Sequence, residues 1–298
     1  MSALIPPGSD PKPAGLSSRL FVDGGDPKET RAIIDLLGFL DGQTTNPSLI
    51  AKNPEAKARL EAGGKFSRQE VLDFYRGIVR DLAEVLPRGS ISIEVYADEQ
   101  TTAEEMLAQG REMFSWIQNA HIKFPTTAAG LAAAQQAVAE GMRVNMTLVF
   151  SQAQAAAVHA ATRGAERGQV YVSPFIGRLD DRGENGMDLI ANIQRMYAAA
   201  GNSHVLLLTA SVRSFDHFMY ALKLGSNIIT SPAGILKDWA AKGKPMPRAD
   251  YAYPAGSLKP IAYQELDLGQ PWTSFDIRHE LTDKGQAKFA ADWNSLIA

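Results

Sequence analysis

Short β-branched runs and longer helical patterns alternate eight times along this chain, and that alternation limits the fold more than any other feature. The predicted strands are Arg19–Asp23, Gly38–Thr44, Ser90–Tyr96, Ala120–Phe124, Arg143–Phe150, Gln169–Pro174, His204–Ala210 and Asn227–Thr230. Helical patterns fall between them, among them Arg68–Leu86, Thr102–Trp116, Ala128–Glu140, Gln152–Arg163, Asp188–Ala199 and Ser214–Lys223. Strands that repeatedly alternate with helices call for a parallel sheet with crossover connections. Eight such units in about 240 residues predict a TIM (β/α)8 barrel, the common closed arrangement at this size. A doubly wound open sheet is the alternative, but no G-x-G-x-x-G follows the first strand. A Pro-, Gly- and Tyr-rich connection, Lys242 to Pro271, and a helix from about Leu281 to Leu296 read as a C-terminal extension, about 242–298. The expected organisation is a flexible segment over 1–18 and one barrel domain over 19–298.

Composition removes several function classes. A net charge of −3 gives no electrostatic case for nucleic acid or an anionic membrane. No apolar run approaches the length of a membrane span. Met1 to Gly15 is rich in proline and glycine and lacks the apolar core of a signal peptide. The chain has no cysteine, which excludes disulfides, cysteine-ligated zinc and thiol catalysis and fits a cytoplasmic protein. Its five histidines show no paired ligand spacing, so no metal is expected.

Within the predicted strands, residue parity separates two faces, because successive side chains point to opposite sides. In Val144-Asn145-Met146-Thr147-Leu148 the apolar residues share one parity and Asn145 and Thr147 the other. Ser92 and Glu94 oppose Ile91, Ile93 and Val95; Lys123 opposes Ile122 and Phe124; Asp23 opposes Val22. The apolar parity would face the helices and the polar parity the barrel interior. A merely structural interior is filled by bulky aliphatic side chains. Individually, Asp23 could cap a helix and Glu94 could pair with an arginine. Their convergence with Lys123, Asn145 and Thr147 points to a reaction site.

Lys123 carries the chemistry. Its apolar flanks make the ammonium form costly, and a partly neutral lysine can attack a ketone to form a Schiff base. The alternative is a strand-edge lysine whose ammonium reaches solvent. Two further segments end late strands: Ser173-Pro174-Phe175-Ile176-Gly177-Arg178 and Ser211-Val212-Arg213. Guanidinium forks and hydroxyls in that position suit the phosphate corner of a TIM barrel. Solvated arginines, or ion pairs with Asp180 and Asp181, are the alternative.

These segments resemble the transaldolase family of Schiff-base enzymes. The likeness runs from Leu20 to Trp293 through Phe21-Val22-Asp23, Thr44-Thr45-Asn46-Pro47-Ser48-Leu49, Ile93-Glu94-Val95, Ile122-Lys123-Phe124-Pro125 and Asn145-Met146-Thr147. It continues through Ser173–Arg178, Ala210–Arg213 and the tail, Asp276–Asp283 with Asp292-Trp293. The resemblance implies that Lys123 forms the Schiff base, Asp23 acts as general acid/base, and Glu94 and Thr147 hold a catalytic water. It implies that Asn46 and Asn145, helped by Ser173, bind the dihydroxyacetone unit. Arg178, Ser211 and Arg213 would hold phosphate, with Phe175 lining the pocket. The implied reaction moves that unit between sugar phosphates with no cofactor, in a homo-oligomer with a homodimer favoured. A fructose-6-phosphate aldolase that releases free dihydroxyacetone is the nearest rival, but such relatives tend to carry tyrosine at the position of Phe175 and lack the Asn145-x-Thr147 pattern. A catalytically silent sugar-phosphate-binding barrel would be expected to lack Lys123 or Asp23. Gly24-Gly25 after Asp23, where many members have Thr or Ser first, and Tyr96, where longer members often have an acid, depart from the pattern.

Overall fold

The computed structural model describes residues 11–201 and 203–298. Ten of the eighteen residues of the expected lead-in, 1–10, lie outside the described residues. The remainder meets the barrel: Lys12 pairs with Asp41 at 2.6 Å, and Lys244 Nζ donates to the Pro11 carbonyl at 3.0 Å.

Eight parallel strands close a barrel in sequential order: β1 (Arg19–Asp23), β2 (Gly42–Thr44), β3 (Ser90–Glu94), β4 (Ala120–Pro125), β5 (Val144–Val149), β6 (Val170–Pro174), β7 (Val205–Thr209) and β8 (Ile228–Ser231). Around and between them run α1 (Pro27–Leu37), α2 (Pro47–Ala51), α3 (Pro54–Glu61), α4 (Arg68–Val85), α5 (Ala103–Phe114) and α6 (Ala128–Ala139). They are followed by α7 (Gln152–Ala161), α8 (Ile176–Asp181), α9 (Gly186–Ala199), α10 (Phe215–Leu224), α11 (Ala233–Ala241) and α12 (Glu280–Asn294). The fold is a TIM (β/α)8 barrel. Segment 242–279 is irregular apart from one 3-10 turn, Trp272–Ser274.

Local chemistry explains the element ends. Capping boxes open α4 (Ser67 with Glu70), α5 (Thr102 with Glu105) and α7 (Ser151 with Gln154), so two otherwise orphaned N–H groups are satisfied at each start. The predicted second strand began four residues too early. Gly38 ends α1 at φ 82°, and its N–H returns to the Ile34 carbonyl. Phe39 and Leu40 are therefore connection residues that pack on the core, and pairing starts at Gly42.

On β5 the predicted alternation stops short of its end. The register against β6 shifts between Met146 and Val149, and Leu148 sits at φ 59°. A β-branched-rich strand pattern conceals such a bulge, because the strain is set by what packs on Leu148.

Candidate active site

Strand register brings the central groups together. Glu94 on β3 is the register partner of Lys123 on β4, which in turn pairs with Asn145 on β5. Asp23 on β1 is level with Thr44 on β2. Asp23, Thr44 and Glu94 are the last residues of their strands, at the end where barrel active sites are built, and Lys123 and Asn145 lie deeper along theirs.

Lys123 is buried, 3% exposed, which removes the alternative of a solvent-reaching ammonium. Its Nζ lies 2.7 Å from Glu94 Oε2 and donates to the Thr45 carbonyl at 2.9 Å. The contact with Glu94 is a buried ion pair, and Oε2 has no partner besides Lys123. Burial pushes the Glu94 carboxyl above its ordinary pKa, opposed by Lys123 and more weakly by Arg178. Burial also raises Asp23, against the hydroxyl of Thr44 and the charges of Lys123 and Lys52. Thr44 Oγ1 donates to Asp23 Oδ1 at 2.7 Å, so the 2.6 Å contact with Thr230 must have Thr230 as donor. Two carboxyls held above their ordinary range share the site with one buried amine, an arrangement suited to proton transfer.

Asn46 caps α2 through its Oδ1, which accepts from Leu49 N–H at 2.9 Å. Its amide nitrogen is left for the cavity. Ser173 Oγ donates to Asn145 Oδ1 at 2.6 Å, while Asn145 Nδ2 donates to Ser92 Oγ at 3.1 Å. Thr147 Oγ1 is buried and makes no hydrogen bond within the protein.

The anion corner is built from α8 and the segment after β7. Arg178 lies between two rings, with its Cζ 5.3 Å from the Phe175 centroid and 5.4 Å from that of Phe289. Burial and then the neighbouring Arg213 hold its pKa below the usual guanidinium range. Two cations that disfavour each other in a half-buried corner are eased by an anion. Arg213 is exposed and pairs with Asp181, so the ion-pair alternative holds for that residue. Asp180 instead engages His217 and Tyr253. Ser211 is held at φ 57°, and Gly177 N–H donates to its carbonyl at 3.1 Å. A Cβ at Gly177 would come within 2.8 Å of the Arg213 side chain, so the two segments meet only because residue 177 is glycine.

One cavity of about 260 Å³ is lined by Asp23, Asn46, Lys123, Thr147, Ser173, Phe175, Arg178, Ser211 and Arg213. Glu94 and Asn145 are not on its wall; they lie one contact behind, through Lys123 and Ser173. Sequence reasoning missed Lys52, Thr230, Lys288 and Phe289, which share the lining. Thr230 shares its parity with Ile228, so alternation on β8 does not mark it, and nothing local marks Lys288 and Phe289. A larger groove of about 1230 Å³ opens at the opposite end of the barrel, around Arg19, Ser90, His121 and Arg143. It holds none of the convergent reactive groups, so size does not identify the site here.

Fold and cavity together define a closed α/β barrel with a buried lysine between two carboxyls and an arginine corner beside them. The family model for transaldolase/fructose-6-phosphate aldolase matches residues 20–298. A protein named "Probable transaldolase" from Dehalococcoides mccartyi is 32% identical over 278 residues, 93% of this chain and 99% of that one. Proteins of the same name from Brucella ovis and Moorella thermoacetica are 33% and 34% identical, covering 92% and 93% of this chain and 96% and 98% of their own. This chain therefore belongs to the transaldolase/fructose-6-phosphate aldolase family.

Proposed function

We propose that the protein is a transaldolase, transferring a dihydroxyacetone unit from sedoheptulose 7-phosphate or fructose 6-phosphate to glyceraldehyde 3-phosphate or erythrose 4-phosphate. The carrying observation is Lys123, buried against Glu94 at 2.7 Å in a cavity that also holds Asp23. The ketose phosphate binds with its phosphate at Arg178, Ser211 and Arg213, along Phe175. A proton passing from Lys123 to Glu94 leaves a neutral amine, which attacks the C2 carbonyl. The resulting hydroxyl leaves as water, protonated by way of Glu94 and a water held with Thr147, and a cationic imine remains. Thr147 Oγ1, buried with no hydrogen bond within the protein, supports that role. Asp23 takes the C4 hydroxyl proton as the C3–C4 bond breaks, and the electron pair moves to the imine nitrogen. The aldose phosphate departs, and the enamine stays with Asn46, Asn145 and Ser173 around its hydroxyls. An acceptor aldehyde then enters and the steps reverse. The lysine imine is the electron sink, so this route calls on no cofactor.

A homodimer acting on small-molecule sugar phosphates in the cytoplasm is part of the same proposal. No helix among the described residues is long and apolar enough to cross a membrane.

Borohydride trapping with fructose 6-phosphate, read by peptide mass spectrometry, tests the chemistry. A reduced three-carbon adduct on Lys123, absent from Lys123→Ala, is the expected result. No adduct on folded protein, or one on another lysine, overturns the mechanism and favours a silent binding barrel. Asp23→Ala is expected to slow turnover by about 10²–10⁴-fold. Without borohydride, adding erythrose 4-phosphate separates transfer from aldolase release, since a transferase passes the enamine-bound fragment to it while an aldolase releases free dihydroxyacetone.

A further inference from the structure

The geometry points to Tyr75, outside the cavity on α4, as the residue that positions the reacting pair by freeing the Thr45 carbonyl for Lys123. The inference rests on the proposal that Lys123 is the reacting amine.

The argument begins with the ladder between β2 and β3. Thr45 N–H donates to the Ser92 carbonyl at 3.1 Å, continuing the parallel pairing one residue past β2. In a parallel ladder the next bond would run from Glu94 N–H to the Thr45 carbonyl. Here that bond is replaced. Glu94 N–H donates instead to the Tyr75 hydroxyl at 2.9 Å, and the Thr45 carbonyl accepts from Lys123 Nζ at 2.9 Å. A buried N–H must find a partner, so a substitute acceptor is required before the carbonyl can be released.

Proton positions in the network follow from its ends. Thr45 Oγ1 donates to the Ser92 carbonyl at 2.7 Å, which can only accept. The 2.5 Å contact between Thr45 Oγ1 and Tyr75 must therefore have the phenol as donor. The direction is Glu94 N–H to Tyr75 O–H to Thr45 O–H to the Ser92 carbonyl, with every hydrogen used. One phenol thus fastens the backbone of Glu94 and the turn of Thr45, the two residues that touch Lys123 Nζ. The ring has no freedom to relax. Tyr75 is fully buried, and Trp116 and Trp293 each meet it edge-on at 5.8 Å.

A phenylalanine would fill the same space, which makes Tyr75→Phe the test. Removing the hydroxyl sends Glu94 N–H back toward the Thr45 carbonyl, in competition with Lys123. Arg178, Arg213 and Asn46 are untouched, so binding should persist while amine attack slows. The expected result is a fall in kcat of about 10-fold or more with KM within about twofold, and an equal fall in the single-turnover rate of borohydride-trapped adduct. Tyr197→Phe is the control. Its buried hydroxyl donates to the Ala155 carbonyl at 2.8 Å, remote from the cavity, and its loss should lower Tm without changing kcat. Thr45→Val, which removes the acceptor of the Tyr75 proton, should reproduce the loss and decides the matter where Tyr75→Phe does not fold. Wild-type kcat and trapping rate in Tyr75→Phe would overturn the assignment, as would an equal kcat loss in Tyr197→Phe. Failure of the wild-type protein to form any adduct overturns the Schiff-base proposal itself and is distinguishable before a variant is made.

Discussion

His121 lies two residues before Lys123 on the same face of β4, and it shows how the barrel treats a buried base that has no carboxylate beside it. Its Nε2 meets the Gly168 carbonyl at 3.1 Å, so that nitrogen carries the proton. Nδ1 is then the acceptor from Ser90 Oγ at 2.8 Å, and the ring stacks on Tyr171 at 4.0 Å. Burial lowers its pKa from 6.5 to about 3. Between those values the unfolded chain binds a proton that the folded chain does not. Stability from this residue is therefore complete above pH 6.5 and is lost as pH falls toward 3, at about 1.4 kcal/mol per pH unit. His159, lowered by burial to about 4, adds to the same trend. Denaturant unfolding between pH 7 and pH 4 should show the loss, and His121→Gln should flatten it by about 1.4 kcal/mol per pH unit. An unchanged slope in the variant would refute this account. At this scale the sequence was informative about which residues face inward, because parity is a local property. It was silent on partners: that Glu94 meets Lys123 while His121 hydrogen-bonds only neutral groups, with Arg143 and Arg19 nearby, depends on which strands are neighbours.

Among the elements, α12 departs most from what local pattern could convey. The tail resembled that of longer transaldolases, yet no spacing rule places residue 285 against residues 148 and 178. Thr282 Oγ1 donates to the Leu148 carbonyl at 2.9 Å, Gln286 Nε2 reaches the Asp98 carbonyl at 2.5 Å, and Ser48 bonds Asp292. These seat the helix across the strand ends and bring Lys288 and Phe289 into the cavity. Gly285 is the point of closest approach. A Cβ there would lie 2.6 Å from both Arg178 Nη1 and Leu148 Cδ2. Gly285→Ala must therefore displace the helix or the guanidinium, a small overpacking that typically costs about 1–3 kcal/mol. Since Arg178 is held between Phe175 and Phe289, the phosphate contact should suffer more than the chemistry. KM for fructose 6-phosphate is expected to rise about 10-fold with kcat less affected, while unphosphorylated fructose turns over as in the wild type. Equal losses for both sugars would mean that α12 supports the reaction centre and not the anion corner. The barrel strands were legible for the opposite reason. Their signal is alternation within a few residues, and it failed at element ends and bulges: at the Gly38 cap, at the Leu148 bulge, and on β3, predicted to Tyr96 but ending at Glu94.

For the whole molecule, the open matter is whether 242–298 is decoration or part of the folding unit, and we propose that 19–298 folds as one domain. Leu36 is the one large hydrophobic side chain exposed among the described residues, and the others are at least partly covered within the chain. A homodimer of the kind proposed would have to join through polar or half-buried surface. The C-terminal segment does much of that covering. Lys259 N–H donates to the Gly183 carbonyl at 2.8 Å, Ile261 N–H to Asp188 at 3.1 Å, and Gln264 N–H to Gln152 at 3.0 Å, which fastens the segment along α9 and α7. Tyr253 reaches Asp180 and His217 beside the arginine corner. After α12 the chain returns to Phe66, whose N–H donates to the Leu296 carbonyl at 2.8 Å and whose carbonyl accepts from Ala298 at 2.9 Å. Leu268, Phe289, Trp293 and Leu296 are buried in the common core. Truncating one such side chain typically costs about 2–5 kcal/mol, and a whole domain is stable by only about 5–15 kcal/mol. Losing four together costs about 8–20 kcal/mol, as much as the whole margin. A chain ending at Ala241 is therefore expected to lack a cooperative thermal transition by ellipticity, whereas the full chain should unfold in one transition, the same by ellipticity and by tryptophan fluorescence. If the shortened chain instead melts cooperatively near the full-length midpoint, the barrel is self-sufficient, and α12 and the segment before it serve only the mouth of the active site.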